Sequence, residues 1–326
     1  MGCNIKEIKI DKVVESLCSK CTKEAVIQLQ HGSLCDKHFL NYFEDKVFKT
    51  IKKYRMMGRE EVICVAASGG KDSTAALYLT KRYFQQYNYD PKRLFALLIN
   101  EGITLHRDDS LRNLEEFCKS EDINLKIINV KDNFKTTIDE SAEKLRSVGR
   151  KPCMVCGIWR RYLLNKHARA LGATKLVTGH NLDDESQSII MNTFKANTSL
   201  AANLGPISGV KEHELFVRRI KPLYLCTNEE VELYTKIKGW TLDYCECVYA
   251  EEGYRFQIKK MLNTFEGKYP GTKQGIIKSY LELLPLLKEN LSERIQRGEI
   301  KICKECQEPA NGDICNACKL AKELVG

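Results

Sequence analysis

The 326-residue chain carries 52 Lys and Arg against 43 Asp and Glu, a formal charge of +9, and 43% of its residues are hydrophobic. It is long enough for one large domain with small attachments, and the moderate positive excess suits a polyanionic partner. No apolar run approaches the roughly 20 residues of a membrane helix. The opening Met1-Gly2-Cys3-Asn4-Ile5-Lys6 has no secretory apolar segment, so a soluble, cytoplasmic protein without a membrane partner is expected.

Fifteen cysteines are far more than a cytosolic enzyme normally carries, and without an export signal they point to metal and sulfur chemistry rather than disulfides. In the first 45 residues, Cys18-Ser-Lys-Cys21 and Cys35-Asp-Lys-His38 are two pairs separated by 13 residues. Three thiolates and one imidazole at this spacing make a tetrahedral zinc site, and a segment so polar has too little core to fold without one. A zinc module over residues 1–45 is expected, with Cys3 a bystander. Residues 46–60 follow as a linker helix: from Phe39 to Met57, Phe39, Phe43, Val47 and Ile51 form an apolar stripe, and Lys46, Lys49, Lys52 and Lys53 fall on other faces, where solvation is expected.

Residues 62–79 read as strand, loop and helix. An apolar run ending at Ala67 is stopped by Ser68-Gly69-Gly70-Lys71-Asp72-Ser73, and the helix formers Ala75, Ala76, Leu77 and Leu79 follow. Two glycines let several helix-terminal amides face one anion, the serines add hydroxyl donors and Lys71 adds a charge. This is a phosphate cradle without the Gly-x-x-x-x-Gly-Lys-Ser/Thr spacing of the Walker loop.

Further apolar strands are expected at Leu94–Ile99, Leu125–Val130 and Lys175–Thr178, with helices between them. That alternation predicts an α/β fold, a parallel sheet covered by helices on both faces, over residues 61–295. Ligands gather at the carboxyl ends of such strands. The last of these strands runs into Gly179-His180-Asn181-Leu182-Asp183-Asp184. Asp184 fits either a capping partner of Asn181 or a carboxylate for magnesium or a substrate proton, and His180 has a similar ambiguity.

Cys153-Met-Val-Cys156 precedes a helix expected from about Ile158, with Arg160 and Arg161 nearby. Thiols so placed should have lowered pKa values. They could form a redox pair, half of a zinc site or two ligands of an iron–sulfur cluster, and local spacing does not choose. A last strand lies within Phe216–Leu223, a helix at Asn228–Lys238, and Cys245 and Cys247 supply a further thiol. Three thiolates leave one iron of a cluster free for a substrate sulfur. A helix at Thr272–Leu291 closes the domain, and in the tail, residues 296–326, Cys303, Cys306, Cys315 and Cys318 form a double Cys-x-x-Cys zinc signature. Cys64, inside the first strand, reads as core.

The Ser68–Ser73 loop matches that of the N-type ATP pyrophosphatases, the PP-loop proteins. With the zinc module, the central cysteines, the 179–184 run and the tail, nearly the whole chain resembles the tRNA 2-thiouridine synthetases, which include the archaeal and eukaryotic cytosolic thiouridylases and the TtuA enzymes. The resemblance implies that ATP, with magnesium, adenylates the C2 oxygen of a tRNA uridine, at position 34 or 54, and that sulfur then replaces the activated oxygen. It implies a 4Fe–4S cluster on Cys153, Cys156 and Cys247, the last preferred over Cys245 because it precedes Val-Tyr. It also implies two zinc ions, a catalytic Asp184, and Arg160 and Arg161 beside the cluster. The sulfur donor is expected to be a ubiquitin-like thiocarboxylate carrier or sulfide, and the chain to form a homodimer. Two positions depart from the family pattern: His38 replaces the usual fourth cysteine, as in the TtuA branch, and Ala250 stands where a serine often follows.

Overall fold

The computed structural model describes residues 16–104, 108–209, 213–240, 247–295 and 301–325. Cys3 and Cys245, two of the cysteines weighed above, lie outside them. Antiparallel β1 (Ile27–Leu29) and β2 (Gly32–Leu34) precede α1 (Asp36–Lys53). The central unit runs β3 (Ile63–Ala66), α2 (Lys71–Gln86), β4 (Leu94–Asn100), α3 (Asp108–Ser120), β5 (Asn124–Asn129), α4 (Val130–Phe134), α5 (Ile138–Ser147), α6 (Pro152–Ala170), β6 (Lys175–Thr178), α7 (Leu182–Phe194), α8 (Thr198–Ala202), β7 (Arg218–Ile220) and α9 (Asn228–Ile237). Helices α10 (Tyr254–Lys268) and α11 (Thr272–Ile295) follow, then β8 (Lys301–Ile302), β9 (Pro309–Ala310) and α12 (Asn316–Val325).

Among the described residues the central sheet has five strands in the order β5-β4-β3-β6-β7, all pairs parallel, with Val65 opposite Ala96 on one side and Val177 on the other. The chain lays strands outward from β3 to β5, then returns to the other side of β3, so the order reverses between β3 and β6. A ligand crevice belongs at that reversal.

Side-chain alternation sorts the core into two layers. Ile63 and Val65 of β3 join α1, α2 and α9 on one face. Cys64 of the same strand, fully buried as expected, joins α4, α5, α6 and α12 on the other, together with Cys303 and Cys315. A third cluster packs Leu182 and Ile189 of α7 and Tyr224 against Ile277, Tyr280 and Leu284 of α11. No helix among the described residues is long and apolar enough to cross a membrane.

Three expectations change. Strand β5 is an edge, so its Asn124 and Lys126 are exposed and only part of it is covered. Helix α6 begins at Pro152 rather than near Ile158: proline at the first helical position has its φ preset and needs no amide partner. Gly157 therefore sits within the helix rather than before it. Lys46 is not solvated like an ordinary helix lysine. Its Nζ donates to both carboxylate oxygens of the buried Glu230 at 2.7 Å, while Phe43 stacks on Tyr234 with centroids 4.6 Å apart.

Truncating Lys46 leaves the Glu230 carboxylate buried and unpaired, which costs about 3 kcal/mol. Lys46→Ala should lower the urea midpoint by a corresponding amount. The double variant Lys46→Met/Glu230→Gln, which removes both charges, should recover much of it.

Candidate functional site

The phosphate loop leaves β3 and enters α2 with Gly70 as its N-cap and no side chain capping the first amides. Those N–H groups are therefore open to an anion. Gly69 has φ +80°, and a Cβ there would lie 2.1 Å from the Ser110 carbonyl oxygen, so only glycine fits. Ser73 Oγ accepts the Ser68 N–H at 3.0 Å and donates to the Gly70 carbonyl at 3.0 Å, which holds the loop's curve. Ser68 and Ser73 hydroxyls lie 3.1 Å apart. Lys71 is buried, and its Nζ donates to Asp72 Oδ2 at 2.7 Å and to Asn228 Oδ1 at 2.6 Å.

Gly179, at the end of β6, closes onto this turn: a Cβ there would meet the Asp72 carbonyl carbon at 2.7 Å and the Ser73 nitrogen at 2.8 Å. Asn181 Nδ2 then reaches Asp72 Oδ1 at 2.8 Å. Burial, followed by the nearby charge of Asp184, raises the Asp72 carboxyl above its ordinary pKa, against the lowering by Lys71 and Asn181. Two carboxylates that repel across a crevice are oxygen donors suited to a divalent cation.

Asp184 forms the expected capping box, its N–H donating to Asn181 Oδ1 at 3.1 Å and its Oδ2 accepting from the Asn181 N–H at 3.4 Å. Its other oxygen lies 3.5 Å from Arg255. Asp183 accepts from the Asn228 N–H at 2.8 Å and from Lys273. His180 is exposed at the crevice, with Nδ1 2.9 Å from Thr178 Oγ1. The protein packed around it, then Lys221, Arg255, Arg219 and Arg160, hold its pKa well below the ordinary value, so the ring is neutral at pH 7.

The central cysteines occupy the adjoining face. Cys153 and Cys156 lie in the first turns of α6, and Cys153 Sγ donates to the Tyr249 carbonyl at 2.8 Å. The 247–252 segment is tied back by Tyr249 Oη to Asp139 Oδ1 at 2.7 Å and by Lys151 Nζ to the Glu252 carbonyl at 2.6 Å. Cys247 stands at its start. Arg160 lies 3.4 Å from the fully buried Glu101. Burial opposes its charge, but Cys156, Glu101, Cys247 and Cys153 together hold its pKa above normal.

The expectation of a lowered Cys153 pKa fails. Burial raises it, Cys247 and Glu252 add to the rise, and Arg160 only partly opposes them.

Two further groups fit single metal ions. Cys18, Cys21, Cys35 and His38, and separately Cys303, Cys306, Cys315 and Cys318, each bring their ligand atoms within 4.8 Å of one another. The Cys21–Cys35 and Cys306–Cys315 sulfur separations are both 3.7 Å. A tetrahedron with metal–sulfur bonds of about 2.3 Å has edges of about 3.8 Å. His38 presents Nδ1, 3.3 Å from the sulfurs of Cys18 and Cys35. Backbone N–H groups of Lys20, Cys315 and Cys318 donate to cysteine sulfurs, which favours the thiolate. Among the described residues no group containing all three central cysteines is this compact.

Asn228, Lys273 and Arg255 had no sequence motif to mark them, because they reach the site from α9, α11 and α10 through tertiary packing. Arg219, within β7, and Lys221, just after it, lay in the expected last strand region without a motif of their own.

Residues 40–246 match the PP-loop domain family. The tRNA-5-methyluridine(54) 2-sulfurtransferase of Pyrococcus horikoshii is 36% identical over 312 residues, covering 94% of this chain and 95% of that protein. The tRNA 2-thiolation protein NcsA of Haloferax volcanii is 33% identical over 325 residues, covering 94% and 98%. The solved structure of the U34-tRNA thiolase NcsA from Methanococcus maripaludis with its [4Fe-4S] cluster superimposes with a TM-score of 0.77 at 29% identity, covering 95% of this chain and 97% of that one. With a family match over more than half its length and relatives above 30% identity along nearly all of it, this chain belongs to the tRNA 2-thiolation branch of the PP-loop domain family.

Proposed function

We propose that this protein replaces the C2 oxygen of a tRNA uridine with sulfur, using ATP to turn that oxygen into a leaving group. The observation that carries the reading is Glu101: it follows β4, the strand beside the one that ends in the phosphate loop, and its carboxylate lies 3.4 Å from Arg160 and 4.0 Å from Cys156 Sγ, so the thiols open onto the same strand ends as the loop.

In this reading the open amides of α2, the Ser68 and Ser73 hydroxyls and Lys71 bind the ATP phosphates, and Asp72 and Asp184 are the carboxylates available to magnesium. Lys71 is preset by Asn228, so it meets the phosphates without losing a disordered side chain's entropy. Transfer of AMP to the uridine O2 releases pyrophosphate, and Arg160 and Arg161 neutralise negative charge on the sulfur side. Cys153, Cys156 and Cys247 would hold a 4Fe–4S cluster, which would supply the sulfur; as C2 gains that sulfur, the adenylated oxygen leaves with AMP. The terminal quartets hold zinc, which fixes structure and takes no part in the reaction. A thiocarboxylate carrier or sulfide replenishes the sulfur, the target is uridine 34 or 54, and the protein acts as a cytoplasmic homodimer.

Anaerobically purified protein should contain about four irons per chain. Cys153→Ala, Cys156→Ala and Cys247→Ala should each lose that iron and 2-thiouridine formation while keeping zinc. Thiolation that persists in these variants would overturn the assignment. Activity surviving iron removal with the thiols intact would replace the cluster by persulfide chemistry. Mass mapping of thiolated nucleosides in tRNA from a deletion strain identifies the uridine.

Asn228→Ala frees Lys71 to fold onto Asp72. The KM for ATP should rise about tenfold, corresponding to roughly 1.4 kcal/mol, with the KM for tRNA changed less than twofold. An unchanged KM for ATP would remove Asn228 from the phosphate-binding machinery.

A further inference from the structure

The charged groups around the crevice are mostly paired. Lys71 meets Asp72 and Lys221 meets Glu185, both at 2.7 Å, Lys273 meets Asp183, Arg160 lies 3.4 Å from Glu101 and Arg255 3.5 Å from Asp184. Arg161 and Arg219 break this pattern. Among the described residues neither guanidinium has a hydrogen-bond or ion-pair partner.

They also lie on one patch: Asn165 of α6, one turn after Arg161, accepts the Val217 N–H at 3.0 Å, two residues before Arg219. Ile220 of β7 points into the layer with α1 and α2, so by strand alternation Arg219 projects to the opposite face, where α6 carries Arg161. Arg161 folds back along its own helix, its Nη1 3.3 Å from where a Cβ on Gly157 would lie. Burial and Arg161 bring the Arg219 pKa down to about 10. Burial, Arg160 and Arg255 lower that of Arg161, opposed only by Cys156. Two guanidinium groups crowded without a carboxylate are unfavourable by themselves. An oxyanion between them converts that repulsion into charge-assisted, forked hydrogen bonds, for which arginine geometry is suited.

We propose that Arg161 and Arg219 form a clamp for one backbone phosphate of the substrate RNA, next to the nucleotide that enters the crevice. The inference rests on the tRNA reading given above. Phosphates of ATP have the same chemistry, but their cradle lies at β3. Arg219 is two strands away on β7, about 10 Å at ordinary strand spacing, on the face that carries the cysteines. The clamp therefore stands on the sulfur side of the bound nucleotide, where RNA must pass to present its uridine. Phosphate contacts of this kind set register and orientation rather than sequence preference.

The test measures binding of fluorescently labelled tRNA to the complete protein without ATP, across a salt series, beside the KM for ATP. Arg161→Ala and Arg219→Ala should each weaken tRNA binding about tenfold, and the double variant should lessen the slope of log K against log salt by about one. Arg161→Lys and Arg219→Lys keep the charge and should recover part of the affinity, while the KM for ATP stays within twofold. Because each alanine removes one of two repelling cations, the urea midpoint should not fall. Unchanged tRNA affinity and salt slope would overturn the clamp, as would a raised KM for ATP with tRNA binding intact, which would assign the arginines to nucleotide phosphate. Failure of the unaltered protein to bind tRNA would instead defeat the functional reading.

Discussion

The close approach of Gly179 to the first turn of α2 is the contact on which the crevice depends. Any Cβ at that position would press on the Asp72 carbonyl and the Ser73 amide, so a larger residue would push β6 away from the phosphate loop. With glycine there, Asn181 reaches Asp72, Asp184 comes near enough to raise the Asp72 carboxyl, and His180 sits at the mouth. The strand-order reversal alone would leave a crevice between β3 and β6. The missing side chain lets β6 close on the phosphate loop.

Each terminal cysteine-rich module braces a helix that carries one half of the site. From the N-terminal quartet, whose His38 lies in α1, the same helix sends Lys46 to Glu230 and Phe43 onto Tyr234. Glu230 is also the capping-box residue of α9, accepting the Thr227 N–H at 2.7 Å, and the next residue, Asn228, holds Lys71. At the other end, the Ala317 carbonyl beside Cys318 accepts from Trp159 Nε1 at 3.3 Å, and Arg169 binds Glu308. Trp159 and Arg169 belong to α6, the helix of Cys153 and Cys156. Metal binding contributes directly to folding free energy in modules with little core. A metal ion in each quartet would therefore stabilise the helices that position the phosphate-loop lysine and the central thiols.

Much of this was legible in residue patterns because the signals are local. The Phe39, Phe43, Val47 and Ile51 stripe is fully buried, the 175–178 strand has its expected ends, and the two quartets assemble as their spacing requires. The Asn181–Asp184 capping box is present, and Asp184 also faces Arg255, so the cap and the crevice role are compatible. Misreadings came where tertiary packing overrides local chemistry. A Pro-Cys start with a glycine five residues on looks like a loop, yet Pro152 opens α6 and Gly157 lies under Arg161. Helix position and nearby arginines favour a thiolate at Cys153, but burial outweighs them. Lys46 resembled its solvated neighbours because its partner, Glu230, lies 184 residues away.

Pairing divides the crevice into two kinds of charge. On the loop side Lys71, Lys221 and Lys273 each have a carboxylate partner, and Lys71 must exchange its contact with Asp72 for phosphate oxygens while Asn228 keeps it in place, so its binding energy is a difference between two satisfied states. Across β6 and β7, Arg161 and Arg219 have no such contact to give up. An anion arriving there gains new bonds and relieves repulsion, which favours tight capture at an early stage. Docking of a large polyanion through unpaired arginines, before the paired lysine is engaged, would bring the substrate to the sulfur face first. The paired side is then the more selective, because only a group that outcompetes the Asp72 carboxylate can draw Lys71 away.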